Sequence, residues 1–194
     1  EKKELLRQLE DNDPFIREAA AKALKNYISD NEVRHTLVEK ATSSSETVGV
    51  RVQAVKSLSL ALQQSAGRYR SGNVRGALLD LAESSNHPDA VRVISLKALY
   101  AANDDKTWDA VADILESSHY SSSVRKAAAW GLFGNTDTRV RRRLVSAAEN
   151  TNFEQGLRIE AVKSLFSWMQ NRDVYKPVLE LAENTNEGES LRVP

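Results

Sequence analysis

Residues 50–58 read VRVQAVKSL, in which an apolar residue and an arginine are followed by alanine four positions and leucine eight positions after the first residue. This skeleton, with a small residue at the alanine position, occurs five times in full, and its first two positions occur a sixth time. The leading pairs are Ile16-Arg17, Val50-Arg51, Val91-Arg92, Val124-Arg125, Leu157-Arg158 and Leu191-Arg192. Positions zero, four and eight lie on one face of an α-helix. The sequence therefore predicts an amphipathic helix, here called helix B, at each occurrence.

A second marker precedes each arginine from the second onward by ten residues, at Ala41, Ala82, Leu115, Ala148 and Ala182. Each marker closes an amphipathic stretch, and these stretches are 33–41, 74–82, 108–115, 140–148 and 174–182. We predict a helix A over each of them, followed by a polar turn of constant length. In one turn, Thr151 and Glu154 have the spacing of a capping box.

The arginines follow one another at intervals of 34, 41, 33, 33 and 34 residues. A repeat of two helices cannot bury its apolar faces alone, so repeats must stack. We predict an all-α fold, an α-solenoid, formed by one repeat domain over residues 1–194. Its predicted repeats are approximately 1–30, 31–70, 71–103, 104–136, 137–170 and a partial repeat, 171–194.

The signature resembles that of the HEAT-repeat family, in the short variant also seen in phycobilin-lyase-type repeats. The resemblance covers essentially the whole chain and implies a right-handed α-solenoid, or α-α superhelix, of about five helix pairs. It also implies a scaffold for protein partners, since only a minority of the family are enzymes. In the family an aspartate often precedes helix B, whereas here only Asp13 and Asp89 stand close to that place. Because the array stops within its sixth repeat, we expect a fragment of a longer protein.

Composition excludes several classes of protein. The 27 basic and 27 acidic residues give zero formal charge, which argues against a uniformly basic nucleic-acid-binding surface. The absence of cysteine excludes disulfides and thiolate metal sites, and no apolar run is long enough to span a membrane. We expect a protein or peptide partner, no membrane insertion and a monomeric chain.

No catalytic or metal-binding motif stands out. The three histidines, His35, His87 and His119, include no His-Glu dipeptide and no His-x-x-x-His pair, and phosphate-binding glycine motifs are absent. His87 and His119 fall in A-to-B turns and are predicted to be exposed to solvent. We expect a protein that is not an enzyme and needs no cofactor.

The helix B face opposite the buried one, which the resemblance places on the concave surface, carries two columns. Six residues after each leading apolar position stand Lys22, Lys56, Lys97, Trp130 and Lys163; nine after it stand Lys25, Ser59, Tyr100, Phe133 and Phe166. We predict a partner-binding site at Lys97, Tyr100, Trp130, Phe133, Lys163 and Phe166. Two alternatives stay open: the lysines form a merely solvated face, and Phe133 and Phe166 close the end of the core.

Two further features are candidates for binding. Arg139, Arg141, Arg142 and Arg143 lie on a helix A and are predicted to be a solvated outer face. The long 41-residue interval places a surplus around residues 67–72, which is either an insertion on a binding face or a longer helix B with a tolerated loop.

These observations favour a non-enzymatic protein–protein interaction scaffold, an accessory domain of a larger protein. The first alternative is a DNA-binding HEAT-like module related to alkylated-base glycosylases, to which Trp108-Asp109 and Trp130 bear a superficial resemblance. Such a role requires many cations for phosphate neutralisation, and the charge balance argues against it. A bilin-lyase-like subunit is the second alternative and follows from repeat length only.

Overall fold

A computed structural model of the protein describes residues 1–64, 72–102 and 104–184. Within these ranges the regular structure is helical, with two 3₁₀ segments, Leu24–Tyr27 and Phe166–Trp168. The α-helices are α1 (Lys2–Gln8), α2 (Pro14–Ala23), α3 (Asn31–Thr42), α4 (Val48–Gln64), α5 (Gly72–Glu83), α6 (Asp89–Leu99), α7 (Asp105–Glu116), α8 (Ser122–Gly131), α9 (Thr138–Glu149), α10 (Gln155–Ser164) and α11 (Arg172–Glu183). Odd-numbered helices are the predicted A helices and even-numbered helices the predicted B helices.

The chain forms two compact units, an N-terminal lobe (Glu1–Asn103) and a C-terminal lobe (Asp104–Pro194). In the N-terminal lobe α2 packs on α4 and α4 packs on α6, while α3 and α5 pack on the B helices that follow them. In the C-terminal lobe α8 packs on both α7 and α10, and α9 packs on α10. The predicted all-α solenoid of about five helix pairs is confirmed. Leu191-Arg192 and most of the predicted insertion lie outside the described residues.

The B helices bury the predicted face. Val50, Ala54 and Leu58, the apolar positions of the signature, are completely buried in α4. Within the described residues α4 is also the longest helix, at 17 residues, so part of the 41-residue interval is a longer helix B.

The turn before helix B is capped in different ways. Asp13 accepts a hydrogen bond from the backbone N–H of Phe15 at 2.8 Å, and Ser121 caps α8 through Val124. The predicted capping box at Thr151 and Glu154 is wrong. Glu154 itself occupies the N-cap position of α10, and its carboxylate accepts from Ser122 and Lys126 instead.

Four signature arginines make the same hydrogen bond, from Nε to the backbone carbonyl ten residues earlier. The bonds are Arg51 to Ala41 (2.9 Å), Arg92 to Ala82 (3.1 Å), Arg125 to Leu115 (2.9 Å) and Arg158 to Ala148 (2.8 Å). Each acceptor is the penultimate residue of a helix A, where the carbonyl has no partner within the helix. The two predicted markers are therefore the donor and the acceptor of one repeated bond.

Three signature arginines, Arg17, Arg51 and Arg125, also reach the turn of the following repeat, at the position five residues before its own arginine. Arg17 pairs with Glu46 at 3.1 Å, and Arg51 donates from Nη2 to Nδ1 of His87 at 2.8 Å. Arg125 lies over the ring of Phe153, 4.3 Å from the ring centroid. The side chain at this turn position can therefore be a carboxylate, an imidazole or an aromatic ring, and each of them contacts the arginine of the preceding repeat.

The interaction with Arg51 corrects the prediction that His87 is simply exposed to solvent, because its side chain is partly buried. A guanidinium has no acceptor atom, so Nδ1 of His87 must accept and the ring must be neutral. Burial, followed by the positive charges of Arg51 and Arg92, lowers the pKa of His87 from its ordinary value of 6.5.

We expect Arg158→Met to lower the free energy of unfolding by about 2 kcal/mol, because it leaves a buried carbonyl without a donor while keeping an apolar stem. Arg158 is only 5% exposed. The control is Arg142→Met on the exposed surface of α9, which should change stability by less than about 0.5 kcal/mol. Urea unfolding of the two variants measures both effects, and equal losses would contradict a structural role for the bond.

A second prediction concerns the dependence of stability on pH. Because the folded chain holds His87 neutral, its contribution to stability is complete above the unfolded-state pKa and decreases as the pH falls below it. His87→Phe copies the Arg125–Phe153 pair and cannot be protonated. It should therefore lose less stability than the wild type between about pH 7.5 and pH 5.5, measured by urea unfolding. His119→Gln, in an exposed turn, should keep the wild-type pH dependence; an unchanged pH dependence in His87→Phe would contradict the assignment.

Candidate protein-interaction surface

Four of the six predicted site residues belong to the adjacent helices α8 and α10 of the C-terminal lobe or to the turns that end them. Trp130 is 39% exposed, Phe133 37% and Phe166 74%, and Lys163 is exposed as well. The apolar signature positions of both helices are buried, so positions six and nine face away from the core. We call Trp130, Phe133, Lys163 and Phe166 the aromatic surface.

The backbone at the ends of the two helices accounts for the exposure of the phenylalanines. After α8 the chain turns through Phe133, whose N–H donates to the carbonyl of Trp130 at 3.0 Å. Gly134 follows with φ of 69°, a left-handed conformation that favours glycine. After α10 the chain continues as the 3₁₀ segment that begins at Phe166. In both places the helix ends before position nine, so the phenylalanine follows the last turn of the helix.

The charges of this surface are balanced. Lys163 lies 3.6 Å from Glu160 on the same helix. Lys126 pairs at 2.9 Å with Glu154, and the hydrogen bond from Ser122 together with that from Lys126 lowers the pKa of Glu154. The exposed aromatic rings are therefore the distinctive chemistry of the aromatic surface.

The other two predicted site residues, Lys97 and Tyr100, belong to the N-terminal lobe. Lys97 lies in the last turn of α6 and is exposed, and Tyr100, at the end of that helix, is 46% exposed. Lys22 and Lys56 occupy the position of Lys97 in the preceding B helices and are exposed too. The structure thus groups the predicted site residues as two in one lobe and four in the other.

The prediction that the arginine cluster of α9 is merely solvated is wrong. Arg143 donates to Asp113 at 2.6 Å and to both carboxylate oxygens of Glu116, at 2.7 and 2.6 Å. These bonds raise the pKa of Arg143 although its burial acts in the opposite direction. Arg139 pairs with Asp137 at 2.7 Å and with α7 through Asp109 at 3.4 Å. Both arginines therefore link α9 to α7.

Arg141 is also part of the structure. It is 7% exposed, lies 5.0 Å from the ring centroid of Trp168 and pairs with Asp173 of α11 at 3.3 Å. The sequence does contain a signal for these contacts, because the acids lie about one repeat away from the arginines. Of the four arginines, Arg142 is the one that keeps the predicted exposed position without an ion pair to the described residues.

In residues 1–64, 72–102 and 104–184, no group of three or more His, Asp or Glu side chains is arranged to hold a metal ion. None of the helices in the described part of the chain is both long and apolar enough to cross a membrane.

The two alternatives for Phe166 predict different stabilities. We expect Phe166→Ala to lower the free energy of unfolding by about 0.5 kcal/mol or less, because its ring is already mostly in water. The neighbouring Leu165 is completely buried, and Leu165→Ala should cost about 2–5 kcal/mol. Urea unfolding measures both, and a loss in Phe166→Ala similar to that in Leu165→Ala would show that Phe166 closes the core.

Comparison with known proteins supports the fold. The family model for the HEAT repeat matches residues 3–30. A solved structure described as an engineered protein shares 16% identity and a TM-score of 0.59, over 98% of this chain and 92% of that one. Human deoxyhypusine hydroxylase in complex with glycerol shares 15% identity and a TM-score of 0.51, over 98% of this chain and 80% of that one. No curated protein sequence matches. The chain resembles the HEAT-repeat family by sequence at residues 3–30, and its fold is that of an α-solenoid.

Proposed function

We propose that this chain is a non-enzymatic scaffold that binds a protein or peptide partner on the surface of its B helices and serves as an accessory domain of a larger protein. The observation that carries the proposal is the exposure of aromatic side chains at two repeat positions of these helices. The proposed contact residues are Lys97, Tyr100, Trp130, Phe133, Lys163 and Phe166.

The proposal is supported by the kind of side chain that is exposed. Tryptophan and tyrosine dominate the binding energy of protein interfaces because they bury a large area with few rotatable bonds. Trp130 and Tyr100 are 39% and 46% exposed, so each retains surface that a partner could cover. A lysine beside such rings provides a contact to acidic groups of the partner.

The charged groups of the A helices differ from those of the B-helix surface in their partners. There, the charges pair across repeats, as Arg143 does with Asp113 and Glu116, and stabilise the stacking. The B-helix surface has fewer such pairs, which suits contact with another molecule. The likeness to deoxyhypusine hydroxylase, at 15% identity, concerns the fold and transfers no catalytic residue to this chain.

The test is a selection of displayed random peptides on the wild-type protein, followed by affinity measurements. We expect selected peptides to bind about tenfold or more weakly to Trp130→Ala and to Phe166→Ala, because a hot-spot residue contributes at least about 1.4 kcal/mol. The matched control is Tyr175→Ala, an aromatic residue that is 49% exposed on the A helix α11. Its affinity should equal that of the wild type.

Two results would count against this function. If the selection yields no peptide that binds, or if all selected peptides bind the Trp130, Phe166 and Tyr175 variants alike, the aromatic surface is not a binding site. Circular dichroism spectra of the variants, compared with the wild type, show that a loss of affinity is not a loss of fold.

A further inference from the structure

The B helices of the N-terminal lobe present a row of lysines. Lys22 of α2, Lys56 of α4 and Lys97 of α6 occupy the same repeat position, and Lys25 lies beside Lys22 one turn further on. All four side chains are exposed. We call them the lysine row. Lys22, Lys25 and Lys56 make no ion pair with any residue that the structure describes.

Two other lysines of the same lobe, Lys2 and Lys40, are paired. Lys2 lies 2.8 Å from Asp30 and 2.9 Å from Glu32. Lys40 lies 3.0 Å from Glu10 and 3.1 Å from Glu46. The chain thus neutralises Lys2 and Lys40 across its A helices and turns, whereas Lys22, Lys25 and Lys56 have no such pair among the described residues.

Acidic residues are scarce beside the row. The 17 residues of α4 include no acid, and α2 includes one, Glu18, which is partly buried. A Cβ at position 49 would overlap the carboxylate of Glu18, so glycine lets this side chain lie over the start of α4. There the carboxylate faces the positive end of the helix dipole, and the row keeps a net positive field.

We propose that the lysine row binds an acidic peptide segment in the polyproline II conformation, with a carboxylate at every third residue. This proposal rests on the proposed scaffold function and specifies the chemistry of its partner. Packed helices lie about 8–10 Å apart, so successive lysines of the row are separated by about that distance. A polyproline II segment has three residues per turn and advances about 3.1 Å per residue, so every third side chain lies on the same face at intervals of about 9 Å.

The neighbouring groups favour a peptide over a nucleic acid. Gln53 of α4 donates from its amide to a carboxylate oxygen of Glu18 at 3.5 Å, and its amide oxygen can accept from the main-chain N–H groups of a peptide. A phosphodiester backbone has no such donors. Nucleic acid also carries charges more densely than one per helix, at about 3.4 Å per phosphate along a strand of a duplex.

The experiment measures the fluorescence anisotropy of labelled peptides of about ten residues with the full chain at low salt, about 20 mM. One peptide carries aspartate at every third position among serine and threonine, and a second has the same composition with its aspartates contiguous. We expect the first to bind about fivefold more tightly and to weaken in about 500 mM salt. A single-stranded oligonucleotide of equal charge should bind more weakly than the first peptide.

Charge-reversal variants locate the site. Lys22→Glu and Lys56→Glu should each weaken binding of the spaced peptide about tenfold, because an attraction becomes a repulsion. Lys3→Glu is the matched control: Lys3 is exposed on the A helix α1, and its replacement changes the net charge equally. It should weaken binding less than about twofold.

The proposal is overturned if the spaced peptide fails to bind at about 1 mM, if the contiguous peptide binds equally well, or if Lys3→Glu weakens binding as much as Lys22→Glu. Tighter binding of the oligonucleotide than of the spaced peptide would overturn the proposal and would indicate that the partner is a nucleic acid. These failures differ from failure of the scaffold function, which is read from peptides that depend on Trp130 and Phe166 in the other lobe.

Discussion

The rest of the structure depends on one repeated hydrogen bond. In it, the Nε of an arginine in helix B donates to a backbone carbonyl in the last turn of the preceding helix A. In Arg51, Arg92 and Arg158 the side chain is at most 6% exposed, and the bond joins the start of helix B to the end of helix A. A charged donor makes such a bond stronger than a neutral one, and its removal would leave a buried acceptor unpaired. This explains why the ten-residue spacing is constant even in the repeat whose interval is 41 residues. Extra residues are accommodated after helix B, where α4 is longer, and not in the A-to-B turn.

The sequence predicted this part of the fold well because the bond has a fixed separation along the chain. It did not predict the contacts of Arg17, Arg51 and Arg125 with the next turn, since Glu46, His87 and Phe153 have no chemical property in common. A guanidinium can pair with a carboxylate, donate to a neutral imidazole or stack on a ring, and each interaction satisfies the same geometry. His87 was therefore predicted to be an exposed turn residue, although it lies against Arg51. Only the alignment of each turn to the next arginine shows that the three positions are equivalent.

The prediction that the arginines of α9 are merely solvated was wrong for a related reason. The local sequence around Arg139 to Arg143 predicts a solvated cluster, because most of the acidic partners of these arginines lie in other repeats. The separations are nearly constant: 30 residues for Arg143 and Asp113, and 30 for Lys40 and Glu10. Stacked repeats bring residues about one repeat apart into contact. A search for opposite charges at that separation would have predicted these pairs from the sequence.

The sequence predicted the position of the candidate site, but it did not determine how far the side chains of Phe133 and Phe166 are exposed to solvent. Periodicity determines that positions six and nine face away from the core while the helix continues. At the end of a helix that argument stops, and the orientation of Phe133 and Phe166 depends on the turn at Gly134 and on the 3₁₀ segment at Phe166–Trp168. The exposed rings have a thermodynamic implication. Stacking already uses the buried signature positions and the paired charges of the A helices, so large rings left in water add little to the stability of the fold. Their apolar surface becomes favourable when another molecule covers it.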